Sequence, residues 1–153
     1  MRRQMSTVHV QIQIDAPPLA VWDTIMDPAR LGEWVTIHRS VKVKSDDPRQ
    51  EGAQMDQVLH ILGVSFTVHW TLECSIAPRQ AEWQGRGPAL SRAVIRYKLT
   101  GGPDGPTTFD YVNEFHPPGG PFGSVASRVV VGHIPDREAH DSLARLKRLI
   151  ENQ

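Results

Sequence analysis

From about residue 36 to residue 117 polar and apolar residues alternate, and beyond the Gly/Pro-rich stretch that follows, the period becomes that of a helix. This change of period constrains the fold more than any other feature. A succession of half-buried strands presents one apolar face, and a single amphipathic helix is left to cover it. Turn signals divide the alternating region. "SDDPRQEG", "LG" at 62–63, "APRQ", "GRGPA" and "TGGPDGPT" separate candidate strands at 36–45, 53–62, 64–76, 80–86, 91–100 and 107–116. Connections this short imply antiparallel neighbours. An earlier strand, "TVHVQIQI", alternates in the same way, with Val8, Val10, Ile12 and Ile14 on one face.

Between that first strand and the rest, "DAPPLAVWDTIM" and "DPARLGEW" carry helix signals. Two prolines follow Asp15 in the first; Asp27 caps Pro28 in the second, and Gly32 stops it. Two short helices are predicted, over about 17–26 and 28–33. At the other end Ala139, Leu143, Leu146 and Ile150 share a helical stripe. Gly132 and Pro135 are expected to kink or split that helix, because proline removes a backbone donor. The sum is one α+β domain: about seven antiparallel strands, two short helices after the first, and a long C-terminal helix.

The inward phase of the strands is rich in aromatic residues. In "VSFTVHWTLEC" Val64, Phe66, Val68, Trp70, Leu72 and Cys74 share a face; Trp83, Tyr97, Tyr111, Asn113 and Phe115 are predicted to point the same way. Large rings fill the space between a bent sheet and a helix, so this could be ordinary core. Yet Tyr97, Tyr111 and Asn113 bring polar atoms that cost about 1–3 kcal/mol each if buried unpaired. A cavity holding water or a ligand would supply partners. "GEWVTIH" poses a related question, since a regular strand there would set Trp34 and His38 on one side with Thr36 between them.

Other chemistry is poorly supported. The seven histidines include no H-x-H or H-x₃-H pair, so no metal site is expected. Cys74, the single cysteine, has no positive neighbour in sequence to activate it; it suits a reducing cytoplasm, where this protein is expected to reside. No phosphate loop or nucleophile elbow occurs. Asp110, Glu114 and the stripe of Arg92, Arg96 and Lys98 fall on the outward phase and read as a solvated sheet face. With 17 basic and 17 acidic residues there is no net field to draw nucleic acid, and no apolar run approaches the ~18 residues of a membrane span. The N-terminus lacks the apolar stretch of a signal peptide.

The stretches "VQIQIDAPPLAVWDTIMDPARLGEW", "GPALSRAVIRYKL", "TFDYVNEFHPPGGPFG" and "SLARLKRLIE" resemble the START-like helix-grip superfamily, in its SRPBCC or polyketide cyclase/dehydrase branch. The likeness covers essentially the whole chain, taken as one domain over 7–152. It implies a curved sheet wrapped around the C-terminal helix, with a deep apolar cavity between them. The superfamily includes lipid and hormone carriers, aromatase/cyclases and co-chaperones, and "EWVTIH" is also similar to members described as toxins. The likeness puts Trp34 on the cavity wall with His38 as its polar handle; the alternative is that Trp34 caps the core and His38 bonds a backbone carbonyl.

The function expected first is therefore binding of a hydrophobic, aromatic or polycyclic small molecule, without cofactor, by a monomer or homodimer. Trp34, His38, Phe66, Trp70, Trp83, Tyr97, Tyr111, Asn113 and Phe115 would form the site. The second is a cyclase/dehydratase-type enzyme using His38, His60 and Tyr97 as acid–base groups. The third is a partner-binding, regulatory or toxin-like protein. "MDQVLHIL" reads in either phase, so Gln57 and His60 compete for the inward position.

Overall fold

The computed structural model describes residues 5–117 and 133–153. Strand β1 (Ser6–Ile14) leads into helix α1 (Pro18–Ile25), and a 3₁₀ turn at Pro28–Arg30 runs on into the short helix α2 (Leu31–Trp34). Asp27 caps that turn by accepting the Ala29 N–H at 3.0 Å, as its position before Pro28 foretold. Strands β2 (His38–Val43), β3 (Gln54–Ile61), β4 (Val64–Ile76), β5 (Gln80–Arg86), β6 (Arg92–Thr100) and β7 (Thr107–His116) follow, and helix α3 (His133–Glu151) completes the order.

All seven strands form one antiparallel sheet in the order β1-β7-β6-β5-β4-β3-β2. Consecutive hairpins build most of it, and β1 returns to pair with β7. The β3–β4 connection is the two-residue turn Leu62–Gly63, both with positive φ (50° and 79°), as a primed hairpin turn requires. The helix buries Ala139, Ser142, Leu143, Leu146 and Ile150 against the sheet and the two short helices. Its last turn is tied to the end of β1: Lys147 Nζ donates to the Gln13 carbonyl and the Asp15 N–H donates to Glu151, both at 2.8 Å. This is the helix-grip arrangement.

Three expectations need correction. Helix α3 is not split at Pro135, which lies in its first turn, where helical N–H groups have no partner to lose; Gly132 lies outside the described residues. Trp34 and His38 do not share a strand, because Trp34 closes α2 and β2 begins only at His38. Cys74 is not on the inner face. Leu72 pairs with Trp83 and Cys74 with Glu82, so Glu73 is an extra residue that reverses the phase beyond it. Cys74 therefore turns to the outer face beside Glu82, whose carboxylate takes an Arg96 hydrogen bond at 2.8 Å. On that face Arg96 also donates to Glu114 at 2.6 Å, which neutralises the centre of the basic stripe.

Candidate functional site

A cavity of about 130 Å³ lies between the sheet, the two short helices and α3. Strands β3 to β7 contribute Gln57, Phe66, Trp70, Trp83, Tyr97, Tyr111, Asn113 and Phe115 to its wall; Trp34 enters from α2, and Glu138 and Ser142 from α3. The register accounts for the sheet's share, since Met55 pairs with Trp70, Gln57 with Val68, Leu59 with Phe66 and Tyr97 with Tyr111, all on one face. The tyrosines stack with ring centroids 6.1 Å apart, and Trp34 lies 6.4 Å from Tyr97.

Gly85 shapes the wall opposite. A Cβ there would meet the Trp70 ring and the Val68 side chain at 2.7 Å, so only glycine lets the indole lie flat over β5. The indole then donates from Nε1 to Gln57 Oε1 at 2.9 Å. That bond fixes the whole polar relay. Indole nitrogen can only donate, so the Gln57 amide oxygen must face Trp70 and its NH₂ must face His38, 2.9 Å from Nδ1. Nδ1 is then an acceptor, which makes His38 a neutral imidazole protonated at Nε2. Burial acts in the same direction, holding the His38 pKa below 6.5.

The structure resolves the choice between Gln57 and His60 in favour of Gln57, which is buried on the wall. His60 lies off the wall and meets Ser65 Oγ at 2.8 Å, so the histidine expected as an acid–base group does not reach the cavity. His38 is set back behind Gln57 and touches the site only through it. Its inward direction comes from a second bulge: His38 pairs with Leu59 and Ser40 with Val58, leaving Arg39 as the extra residue. Without it His38 would face outward.

Glu138 and Ser142, one turn apart on α3, were not anticipated as site residues. Ser142 Oγ donates to Glu138 Oε1 at 2.6 Å and accepts the Thr36 N–H at 3.1 Å, and the Thr36 hydroxyl lies 3.3 Å from the same carboxylate oxygen. Burial pushes the Glu138 carboxyl above its ordinary 4.5, against the pull of the two hydroxyls. The Tyr97 and Tyr111 phenols are pushed up by burial and by the nearby Glu138 charge, so both remain protonated donors. The available signal was position: Glu138 and Ser142 flank the apolar stripe of α3 instead of lying opposite it.

Among the described residues, two buried polar atoms on the wall have no partner, Trp34 Nε1 and Asn113 Oδ1. Asn113 does donate from Nδ2 to the Tyr111 hydroxyl at 3.3 Å. Among the described residues no three His, Cys, Asp or Glu side chains converge as metal ligands would, and no helix is long and apolar enough to cross a membrane.

The family model described as "Polyketide cyclase / dehydrase and lipid transport" matches residues 5–151. An uncharacterized protein of Mycobacterium tuberculosis is 26% identical over 143 residues, covering 85% of this chain and 92% of that protein. The di-domain ARO/CYC BexL from the BE-7585A biosynthetic pathway superposes with a TM-score of 0.74 at 18% identity, over 97% of this chain and 51% of that one. Protein CV1439 from Chromobacterium violaceum gives a TM-score of 0.67 at 18% identity, over 95% and 98% of the two chains. At such identities the structural likenesses establish the fold.

Proposed function

The chain belongs to the polyketide cyclase/dehydrase and lipid transport family, and from that premise we propose that it binds a small hydrophobic, aromatic molecule in the cavity beneath α3. The carrying observation is the mainly apolar space walled by Trp34, Trp70, Trp83 and two tyrosines, where a packed core would leave none. Its size sets the scale of the ligand. About 130 Å³ is close to the ~150 Å³ engineered cavity that takes up benzene, so a single ring fits without rearrangement.

Titration with a small aromatic such as indole or toluene tests this. Thermal stability should rise saturably with ligand, because a molecule that binds only the native state stabilises it by mass action. Ala93 lies on the wall, and Ala93→Leu, which fills part of the space, should weaken the response at least about tenfold. The absence of a saturable response in the wild type, or an unchanged one in the filled variant, would contradict the reading.

One observation supports an enzymatic alternative of the cyclase/dehydratase type. A partly buried carboxylate with a raised pKa, beside two protonated phenols in a cavity, is the type of environment in which acid–base groups work. In this alternative Glu138 and Tyr97 move protons, and His38 acts only through the orientation of Gln57.

A further inference from the structure

The outer face of the sheet, away from the cavity, carries a feature that the binding function leaves unused. Register sets His69 opposite Arg86, Arg86 opposite Arg92 and Arg92 opposite His116, so basic side chains cross β4, β5, β6 and β7 in one row of about 14 Å. The ends of the row are matched to acids. His69 Nδ1 lies 2.7 Å from Asp56 Oδ1, and His116 Nε2 lies 3.9 Å from Glu114 Oε2. The centre is not matched: among the described residues neither Arg86 nor Arg92 forms an ion pair. Like charges directly opposite one another on a sheet destabilise the pair. Arg96, further along β6, shows the ordinary solution, since both Glu82 and Glu114 hold it.

We propose that Arg86 and Arg92 hold a small phosphate-type oxyanion, which supplies the negative charge the sheet omits at this point. Both line a recess of about 300 Å³ on the outer face, with Thr71 and Gln84 beside them as neutral hydrogen-bonding groups. Two guanidinium forks based about 5 Å apart offer paired donors of the kind that match phosphate oxygens bidentately. Their bases are fixed by the tight connection between them. The Gly87 N–H donates to the Ser91 carbonyl at 2.9 Å, and a Cβ at Gly87 would meet Ser91 Oγ at 2.5 Å. Charge limits the size of the ligand. Glu73 also lines the recess, and Glu82 and Glu114 lie further along the same face, so a long polyanion would meet carboxylates beyond the row. The site stands on the opposite side of the sheet from the cavity and does not depend on what the cavity binds.

Isothermal titration of the wild-type chain with inorganic pyrophosphate, at neutral pH and fixed ionic strength, tests the assignment. Binding should saturate, and chloride at matched ionic strength should not compete with it. Arg86→Gln and Arg92→Gln should each weaken it at least about tenfold, the worth of a hydrogen bond to a charged group. Arg92→Lys keeps the charge but loses the fork, and should recover only part of that loss. Glu73→Gln should tighten binding, and Lys98→Gln, about 20 Å away along β6, should leave it unchanged. Arg86 and Arg92 are exposed, and without pyrophosphate their glutamine variants should melt no lower than wild type, because the repulsion is gone. No saturable binding at millimolar pyrophosphate, or an equal loss in Arg86→Gln, Arg92→Gln and Lys98→Gln, would overturn the site. Arginine-dependent binding to vesicles of phosphatidylserine and phosphatidylcholine, with none to pyrophosphate, would overturn the small-ligand assignment and make this face a membrane contact.

Discussion

Glu138 is the side chain whose situation is least comfortable, and so the most informative to change. Its carboxyl is partly buried, its titration is displaced upward from 4.5, and two hydroxyls and one backbone N–H organise the group around it. Because the native state holds this proton more tightly than the unfolded chain, stability falls as pH rises from the ordinary carboxylate range through the raised native value. Glu138→Gln keeps an acceptor for Ser142 and removes the ionisation. The variant's melting temperature should therefore gain on the wild type between pH 4 and neutrality; a difference independent of pH would contradict the raised titration. The same variant separates carrier from enzyme, since a carrier should change in affinity alone and an enzyme should lose turnover well beyond it. Residues such as Trp70, Trp83, Tyr97 and Tyr111 were legible in the sequence because strict alternation fixes their direction. Gln57 and His60 were not, because both phases of "MDQVLHIL" carry apolar residues. Glu138 escaped notice because an acidic residue beside an apolar stripe ordinarily marks the edge of a solvated face.

Among the elements, the strands were legible in number and position, and the departures lie where the strand period breaks. Bulges at Arg39 and Glu73 each add one residue, and neither has a composition that announces it. Beyond Glu73 the phase reverses and Cys74 leaves the inner face. Beyond Arg39 the reversal works the other way and brings His38 inward, to the position expected of it by a different route. Strand β5 has little tolerance at Gly85. Gly85 has no space for a methyl group beside Trp70 and Val68, both at 2.7 Å from where it would sit. Gly85→Ala should destabilise the protein by about 1–3 kcal/mol as an overpacked site does, and should shift Trp70 off Gln57. Denaturant unfolding measures the first effect and the loss of small-aromatic binding the second. A variant as stable as wild type, with affinity unchanged, would mean that the Trp70 wall yields more easily than its packing indicates.

At the scale of the whole molecule, the sheet and helix divide the labour. The sheet supplies aromatic wall, α3 closes it and adds one partly buried carboxylate, and the segment from Trp34 to His38 joins them through Thr36. That architecture was legible because it needs only periods: two for strands, 3.6 for one terminal helix, and turn residues between. The size of the space left inside was not, since it depends on how far α3 stands from the sheet and not on which residues face inward. The central claim is that this space is a binding site. The most direct measurement is the indole N–H region of a ¹H–¹⁵N correlation spectrum, titrated with toluene. Trp34, Trp70 and Trp83 line the cavity and Trp22 does not. The Trp34, Trp70 and Trp83 signals should move and saturate together, with no movement at Trp22. Four unmoved indole signals up to the solubility limit would show that the cavity does not take up a small aromatic ring.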